Sequence, residues 1–554
     1  MPHKSPYPDV DIPDVDIWSL LFDRQKRPYR HDKLLLQEVN SARKYSYKNL
    51  RQASIACGQG LRDAWKWQKG EVLAIYSPND VDYAAVSLGC HWAGGVVTTV
   101  SPACTTDELV GQLRDSGARG IVTHQSSIDK AKAAAREVGI PEDRIALMGP
   151  EAAGAGAKHF TALTGNSHRS TDERRPFAIN PRDDLAFLVF SSGTTGKPKG
   201  VMLSHRNIVS NISQGAVSSV GNLGCGDGTT GSGDKVMAFL PFYHIYGLTV
   251  LLHFGIWQGL ESFVMPQFDI RQFCETVQRH KITYANIVPR VAVALAKVPI
   301  VEKYDLSSIR MLNSAAAPLS KELVELVHKR LSIPIKQAFG LSETSPGLTQ
   351  QDWNDWDRGI GSVGHLLPNV EGKVVDMEKG TELDVDGVGE LCFRGPNIFK
   401  GYLNNIAATK NSLTADGWYK SGDIGYVDRD GRFFITDRIK ELIKYNGFQV
   451  APAELEGLLL KHPKVKDAAV IGVFSQERQT ELPRAYLVLD EGAARSKETA
   501  EEIAQWLGAR VANYKRLRGG VRFIDAIPAS AAGKLLRREL KVMAQAEEKT
   551  RAKL

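Results

Sequence analysis

Cysteine is scarce in this chain and follows no pattern. Six residues stand at 57, 90, 104, 225, 274 and 392, with no CxxC pair and no metal-ligand spacing. That excludes a disulfide-built scaffold and a zinc module, and it predicts free thiols in a reducing compartment. Long apolar runs are missing as well. The longest stretch free of charge, PFYHIYGLTVLLHFGIWQGL at 241–260, contains two histidines, a glutamine and a proline. A buried helix and loop are expected there, with no transmembrane segment. The opening MPHKSPYPDV lacks an apolar core after a basic start, so no secretory signal is expected. Neither sign of charge is in large excess: 70 basic against 63 acidic residues leave +7. That balance predicts no nucleic-acid partner, and the local run KRLR from Lys515 to Arg518 reads as a solvated face able to attract an anionic cofactor. Internal repeats are absent.

At 554 residues the chain exceeds what one core can serve, so two or more domains are expected. Its 43% hydrophobic and 24% charged residues are those of an ordinary globular protein. Over the first 170 residues, apolar runs (VLAIYSP, VVTTVSP, GIVTH) alternate with helical patterns, including an amphipathic stretch up to Gly95. This is α/β layering with buried parallel strands. Residues 150–182 are polar and read as a surface excursion. GNLGCGDGTTGSGDK at 221–235 holds a formal G-x-G-x-x-G, but it follows a helical pattern and opens no helix. The βαβ context of a dinucleotide site is therefore absent, and a flexible insertion is expected. Between 381 and 436, short β-runs separated by Asp-Gly turns predict antiparallel hairpins. From about Ile439 a compact α+β pattern runs to the end.

The richest segment is SSGTTGKPKG at 191–200, set between the apolar run DDLAFLVF and VMLSHRNIVSN, which reads as a helix. Glycines let backbone N–H groups turn inward, hydroxyls add donors, and lysines add charge: the chemistry of a polyphosphate-holding loop. It is not a Walker loop, because Lys197 is followed by proline and no glycine stands five residues before Gly196.

Extended to SSGTTGKPKGVMLSHRN, this segment closely resembles the signature of the adenylate-forming superfamily. That group includes acyl-CoA synthetases, 4-coumarate–CoA ligases, luciferases and peptide-synthetase adenylation domains. Further segments at that family's order and spacing extend the resemblance over about residues 180 to 535, and VVTTVSPACTTDEL resembles an earlier one, with Ser101 and Cys104 departing from it. The resemblance implies an α/β fold: a large N-terminal domain of α/β layers plus a β-rich subdomain (1–438), and a small mobile α+β C-terminal domain (439–554), hinged at Lys440.

It also implies roles. Ser191, Ser192, Gly193, Thr194, Thr195, Gly196 and Lys199 are expected to hold ATP phosphates. Ala317, Phe339 and Gly340 are expected in the adenine segments, and Ser342 is expected to keep a hydroxyl for phosphate. Glu343 is the expected Mg²⁺ contact, since that cation accepts only one or two protein carboxylates. Asp423 is expected on the ribose hydroxyls with Arg438 assisting. A lone histidine such as His244 is more often a satisfied core residue. The resemblance places it instead at the substrate carboxylate, with Tyr246, Asn313, Ala316 and Ala338 in the acyl pocket. Lys444, Gly447, Phe448 and Gln449 stand where the pantetheine of coenzyme A approaches, and Lys534 completes the catalytic set. Ala315 and Ala338 occupy positions where glycine is frequent, so the two methyls should narrow or shorten the acyl pocket.

The implied reaction joins a carboxylic acid to AMP with release of pyrophosphate, then passes the acyl group to CoA. A carrier-protein acceptor, a non-catalytic acyl-binding role and luciferase-like oxygenation stay open. The acid is open among phenylpropanoid, phenylacetic, medium-chain and long-chain classes. Ala552, Lys553 and Leu554 match a C-terminal peroxisomal address, which implies an import receptor as partner, with cytoplasmic residence otherwise.

Overall fold

The apolar runs spaced along the first half become strands buried on both faces, and helices cover them. A computed structural model describes residues 2–150, 156–163, 173–191, 198–219, 221–226, 233–439, 441–446, 448–476, 478–530 and 535–551. Among these residues, one sheet of eight strands centres on Val72–Tyr76, which pairs in parallel with Val96–Val100 on one side and Ala118–His124 on the other. Leu185–Ser191 continues it in parallel, Lys199–Ser204 adds an antiparallel partner, and Gly401–Tyr402 forms the edge beyond that. A second sheet of nine strands has a parallel centre that includes Lys235–Ala238, Glu261–Val264, Tyr284–Ile287, Met311–Ser314 and Ile335–Gly340. In the first sheet, Val72–Tyr76, Val96–Val100 and Leu185–Ser191 read as nearly continuous apolar runs, as expected for strands covered on both faces.

The antiparallel hairpins expected from 381–436 form a five-stranded sheet with Glu371–Val375, Gly389–Arg394, Tyr419–Val427 and Phe433–Arg438 in consecutive pairing. Beyond it, Val465–Ser475, Thr480–Leu489 and Val521–Phe523 make a small three-stranded sheet carrying the helices Pro452–Leu459, Lys497–Gly508 and Arg537–Arg551. The fold is thus α/β, with a large N-terminal domain and a small C-terminal one. The small domain is seated by Lys461 on Glu322 at 2.6 Å and by the Lys297 ammonium donating to the Val465 carbonyl at 2.6 Å.

Two local expectations are corrected. The segment after the SSGTTGKPKG loop begins as the strand Lys199–Ser204, and the helix His205–Val217 starts only behind it. Ser204 ends the strand by capping that helix, exchanging side-chain bonds with Asn207. The helix Asp82–Trp92 is not amphipathic, since all its residues are buried; helix Ile17–Phe22 and helix Tyr47–Trp65 pack on it. The 241–260 stretch is a buried helix, as expected: Tyr246–Phe254 winds as a wide π-type helix and Gly255–Gln258 completes it. A β-carbon on Gly247 would come within 2.2 Å of the Pro241 carbonyl, so only glycine fits that tight entry. Residues 227–232 of the glycine-rich insertion lie outside the described residues. Among the described residues no helix is long and apolar enough to cross a membrane.

Candidate active site

One cavity of about 1700 Å³ opens at the C-terminal ends of the parallel strands of the nine-stranded sheet and runs down between that sheet and the helices His205–Val217 and Tyr246–Phe254. Ligand sites in open α/β sheets form at this end. The five-stranded sheet supplies a second wall through Tyr419, Gly422 and Arg438, and the small domain a third through Ala529, Ser530 and Leu536.

The polar half gathers several of the expected nucleotide residues. Ser191 and Lys199, on facing ends of an antiparallel pair, line the cavity and bracket the loop. Ser192, Gly193, Thr194, Thr195, Gly196 and Lys197 lie outside the described residues. Phe339, Gly340, Ser342 and Glu343 line it as expected, whereas Ala317 does not. Gly340 is held by sterics, as a β-carbon there would lie 2.0 Å from the Pro346 carbonyl. Glu343 is buried and accepts a hydrogen bond of 2.8 Å from the Tyr402 hydroxyl. Burial first, and then the Glu343 charge, push the Tyr402 phenol far above its usual range, so it stays a donor. The Lys199 ammonium sits over the Tyr402 ring, 4.8 Å from its centre. Tyr402 thus links Lys199 to the Glu343 carboxylate. Nothing in the FKGYL segment marks it, since a tyrosine there reads equally well as core.

Arg438 lines the cavity, and its Nε lies 2.9 Å from Oδ1 of the buried Asp423, directly across an antiparallel pair. Burial opposes the guanidinium charge, but Asp423 and Glu441 raise its pKa. Among the described residues no group of three or more His, Cys, Asp or Glu forms a metal cage. Glu343, a lone carboxylate on the cavity wall, is the kind of single protein contact that Mg²⁺ accepts.

The other half gathers the residues expected around the acyl group. His244, Tyr246, Asn313, Ala316 and Ala338 all line it, as does Ala315. The Tyr246 hydroxyl lies 3.1 Å from Asn286 Oδ1 and 3.1 Å from the Asn313 carbonyl, and Asn313 Nδ2 donates to Asn286 Oδ1 at 3.0 Å. Asn286 was not foreseen; its segment KITYANI reads simply as a strand. Ala316 has φ of 73°, a left-handed backbone that costs a non-glycine residue strain. The strained position is thus Ala316, next in the chain to Ala315, one of the two alanines the sequence singles out. Ala315 and Ala338 follow Asn313 and Lys336, a paired position of neighbouring strands. Their methyls therefore stand at the mouth and narrow it without shortening the pocket.

The residues expected at coenzyme A lie elsewhere. Lys444, Phe448 and Gln449 belong to the hairpin Ile443–Tyr445 with Phe448–Val450 and do not line the cavity. Phe448 is 53% exposed and stacks on Tyr514 at 4.6 Å. Lys440, Gly447 and Lys534 lie outside the described residues, though Ser530 and Leu536, close to Lys534 in sequence, line the cavity. Three residues past Lys534, Arg537 donates to both oxygens of Glu456 at 2.8 Å and reaches Glu441 at 3.2 Å. Burial pushes the carboxyls of Glu456 up to about 7 and neighbouring Asp437 up to about 6. Sequence spacing carries no signal for this cluster, because its members come together only in three dimensions.

Comparison with known proteins fits this geometry. Residues 22–403 match the model of the AMP-binding enzyme family, and 454–534 that of the AMP-binding enzyme C-terminal domain. A probable 4-coumarate–CoA ligase 1 of Dictyostelium discoideum is 38% identical over 97% of both chains. The 4-coumarate:CoA ligase 1 of Petunia hybrida is 36% identical over 97% of this chain and 96% of its own. Among solved structures, ATP-bound MatB from Rhodopseudomonas palustris superposes with a TM-score of 0.82 at 28% identity, covering 95% of this chain and 98% of that one. Two family models that together span most of the sequence, and relatives of this identity at full length, establish that the chain belongs to the AMP-binding, adenylate-forming enzyme family.

Proposed function

We propose that this chain is an ATP-dependent, AMP-forming acid–CoA ligase. The observation that carries the reading is the continuity of one cavity. The acyl side, the Phe339–Glu343 segment, Arg438 of the Asp423–Arg438 pair, and Ser530 and Leu536 near Lys534 in sequence open onto the same space.

A carboxylate is a poor electrophile because its leaving group would be oxide. Its attack on the α-phosphate of ATP makes a mixed anhydride and expels pyrophosphate, and a thiol can then displace AMP. The first step brings two anions together, so fixed cationic and hydrogen-bonding groups at the meeting point lower its barrier. Lys199 and the loop at 191–199 serve the phosphates, Asp423 with Arg438 orients the ribose, and Lys534 neutralises charge at the carboxylate. Glu343 would hold Mg²⁺, which would supply further charge neutralisation when bound. His244 closes the carboxylate end of the acyl pocket. The second step needs a thiol path, for which the small domain turns about Lys440 and brings the 443–450 hairpin to the cavity. The orientation seen here, with Ser530 and Leu536 on the cavity wall and Phe448 outside, suits the first step.

The test is acid-dependent exchange of pyrophosphate into ATP without CoA, followed by thioester formation only when CoA is added. Thioester without exchange rules out the adenylate route. Exchange without thioester points to a carrier-protein acceptor. The tripeptide Ala552-Lys553-Leu554 supports peroxisomal residence through an import receptor. A fluorescent N-terminal fusion should enter peroxisomes and lose that location when the tripeptide is removed.

A further inference from the structure

The acyl side of the cavity is layered, and strand register gives its depth. Asn286 and Asn313 are paired residues of neighbouring parallel strands and share one row across the sheet. Two residues back towards the N-terminal ends, Tyr284 pairs with Val236 and Val236 with Ser262. These three form a deeper row on the same face, about 6.6 Å below the first. All five residues line the cavity. It therefore does not stop at the two asparagines. It continues past them to a floor where Leu223, Phe254 and Leu260 join the deeper row.

The upper row is polar and incompletely bonded. Tyr246, Asn286 and Asn313 bond to one another, yet Asn313 Oδ1 is buried with no hydrogen-bond partner among the described residues. Thr249, three residues on from Tyr246 along the π-type helix, also lines the cavity, and its Oγ1 is likewise buried without a partner. A buried acceptor and a buried hydroxyl left unsatisfied are costly unless a ligand completes them. Asn313 Oδ1 calls for a donor, and Thr249 Oγ1 can give or accept. A hydroxyl group has both capacities. Below this row the walls are mainly apolar and suit hydrocarbon.

We infer that the acid activated here is an extended one, with a hydroxyl part of the way along its acyl chain and an apolar segment beyond it. The polar row reads the hydroxyl, and the floor takes the segment past it. A short aromatic acid whose polar group ends the molecule satisfies the upper row at most and leaves the floor unfilled. This rests on the acid–CoA ligase reading and adds the substrate class to it.

The experiment measures kcat/KM for pyrophosphate exchange over straight-chain acids from hexanoate to hexadecanoate. Each is tested with and without a hydroxyl moved along the chain, with 4-hydroxycinnamate beside them. The expected result is a preference for a long acid, with one hydroxyl position favoured over its unsubstituted parent by at least about tenfold, as for sites that leave polar groups unpaired with the wrong substrate. Asn313→Leu should erase that hydroxyl preference, and Val236→Phe should move the chain-length optimum to shorter acids. The unmodified enzyme alone decides the matter if either variant fails to fold. Equal rates for hydroxylated and parent acids, or a preference for 4-hydroxycinnamate over every long acid, overturn the inference while leaving the ligase reading intact. Absence of exchange with any acid overturns the ligase reading itself.

Discussion

Replacing Tyr402 by phenylalanine isolates one atom of the nucleotide end. The change removes the hydroxyl that donates to Glu343 Oε1 at 2.8 Å and keeps the ring beneath the Lys199 ammonium. Both partners are buried, so water cannot replace the lost donor freely. A hydrogen bond to a charged group under these conditions contributes about 1.5–3 kcal/mol. If Glu343 must be held in one orientation to serve a magnesium–phosphate cluster, most of that energy appears in the transition state. The rate of pyrophosphate exchange should then fall about ten- to a hundredfold. The KM for the acid should move little, because Tyr402 sits at the phosphate end. Thermal stability should drop only slightly, and raising magnesium should restore part of the rate. Exchange indistinguishable from the unmodified enzyme at every magnesium concentration, in a folded Tyr402→Phe protein, refutes the coupling between Tyr402 and Glu343.

Lys534→Ala should reduce the exchange reaction by about 10²–10³ and spare thioester formation from supplied acyl-adenylate; equal losses in both halves remove its assigned role. Arg537→Met leaves Glu456 buried without its cation and should cost about 3–5 kcal/mol. Glu456→Gln in the same chain should recover part of that, as a double-mutant cycle on thermal unfolding will read. Lys336 is fully buried, and burial lowers its amine to about 7, while the unfolded chain keeps the proton to about 10.4. Between those values the unfolded state binds more protons, so stability should rise as pH goes from about 7 towards 10. Lys336→Met should flatten that slope and raise the melting temperature at neutral pH, and parallel pH profiles for the two proteins contradict this.

Much of this architecture is legible in the chain because the informative signals are local. Strand runs such as AFLVF and VLAIY carry their own burial pattern, and Asp-Gly turns announce the hairpins of 381–436. The nucleotide segments are contiguous, so SSGTTGKPKG and QAFGLSET can be read without the fold. What was not legible depends on pairing across distance. Tyr402 matters because Gly401–Tyr402 pairs against Val201–Met202 at the edge of the eight-stranded sheet, which brings a distant tyrosine beside Lys199. Asn286 matters because register sets it opposite Asn313. The strand Lys199–Ser204 read as helix since VMLS has no strong local bias and a real helix follows it. Ala315 and Ala338 both line the cavity, but whether a methyl narrows a mouth or shortens a floor depends on strand depth, which sequence does not encode.

The junction of the two domains shows how one chain can serve two steps at one carbonyl. Within four residues the backbone passes from Arg438, fixed on Asp423, to Glu441, fixed on Arg537. The first pair belongs to the large domain's sheet. The second joins the hinge to the segment just past Lys534, and its buried Arg537–Glu456 bonds lie wholly within the small domain. In the proposed reorientation of the small domain, both clusters can stay intact, because neither spans the two domains. What must break is the seat: Lys461 on Glu322, Lys297 on the Val465 carbonyl, and the Ala453 amide on Asp437 at 3.4 Å. The Lys461–Glu322 pair is partly exposed, and exposed ion pairs contribute only about 0–1 kcal/mol. Strong bonds hold each domain to itself and weak ones hold the domains together, which is the distribution a two-orientation enzyme requires.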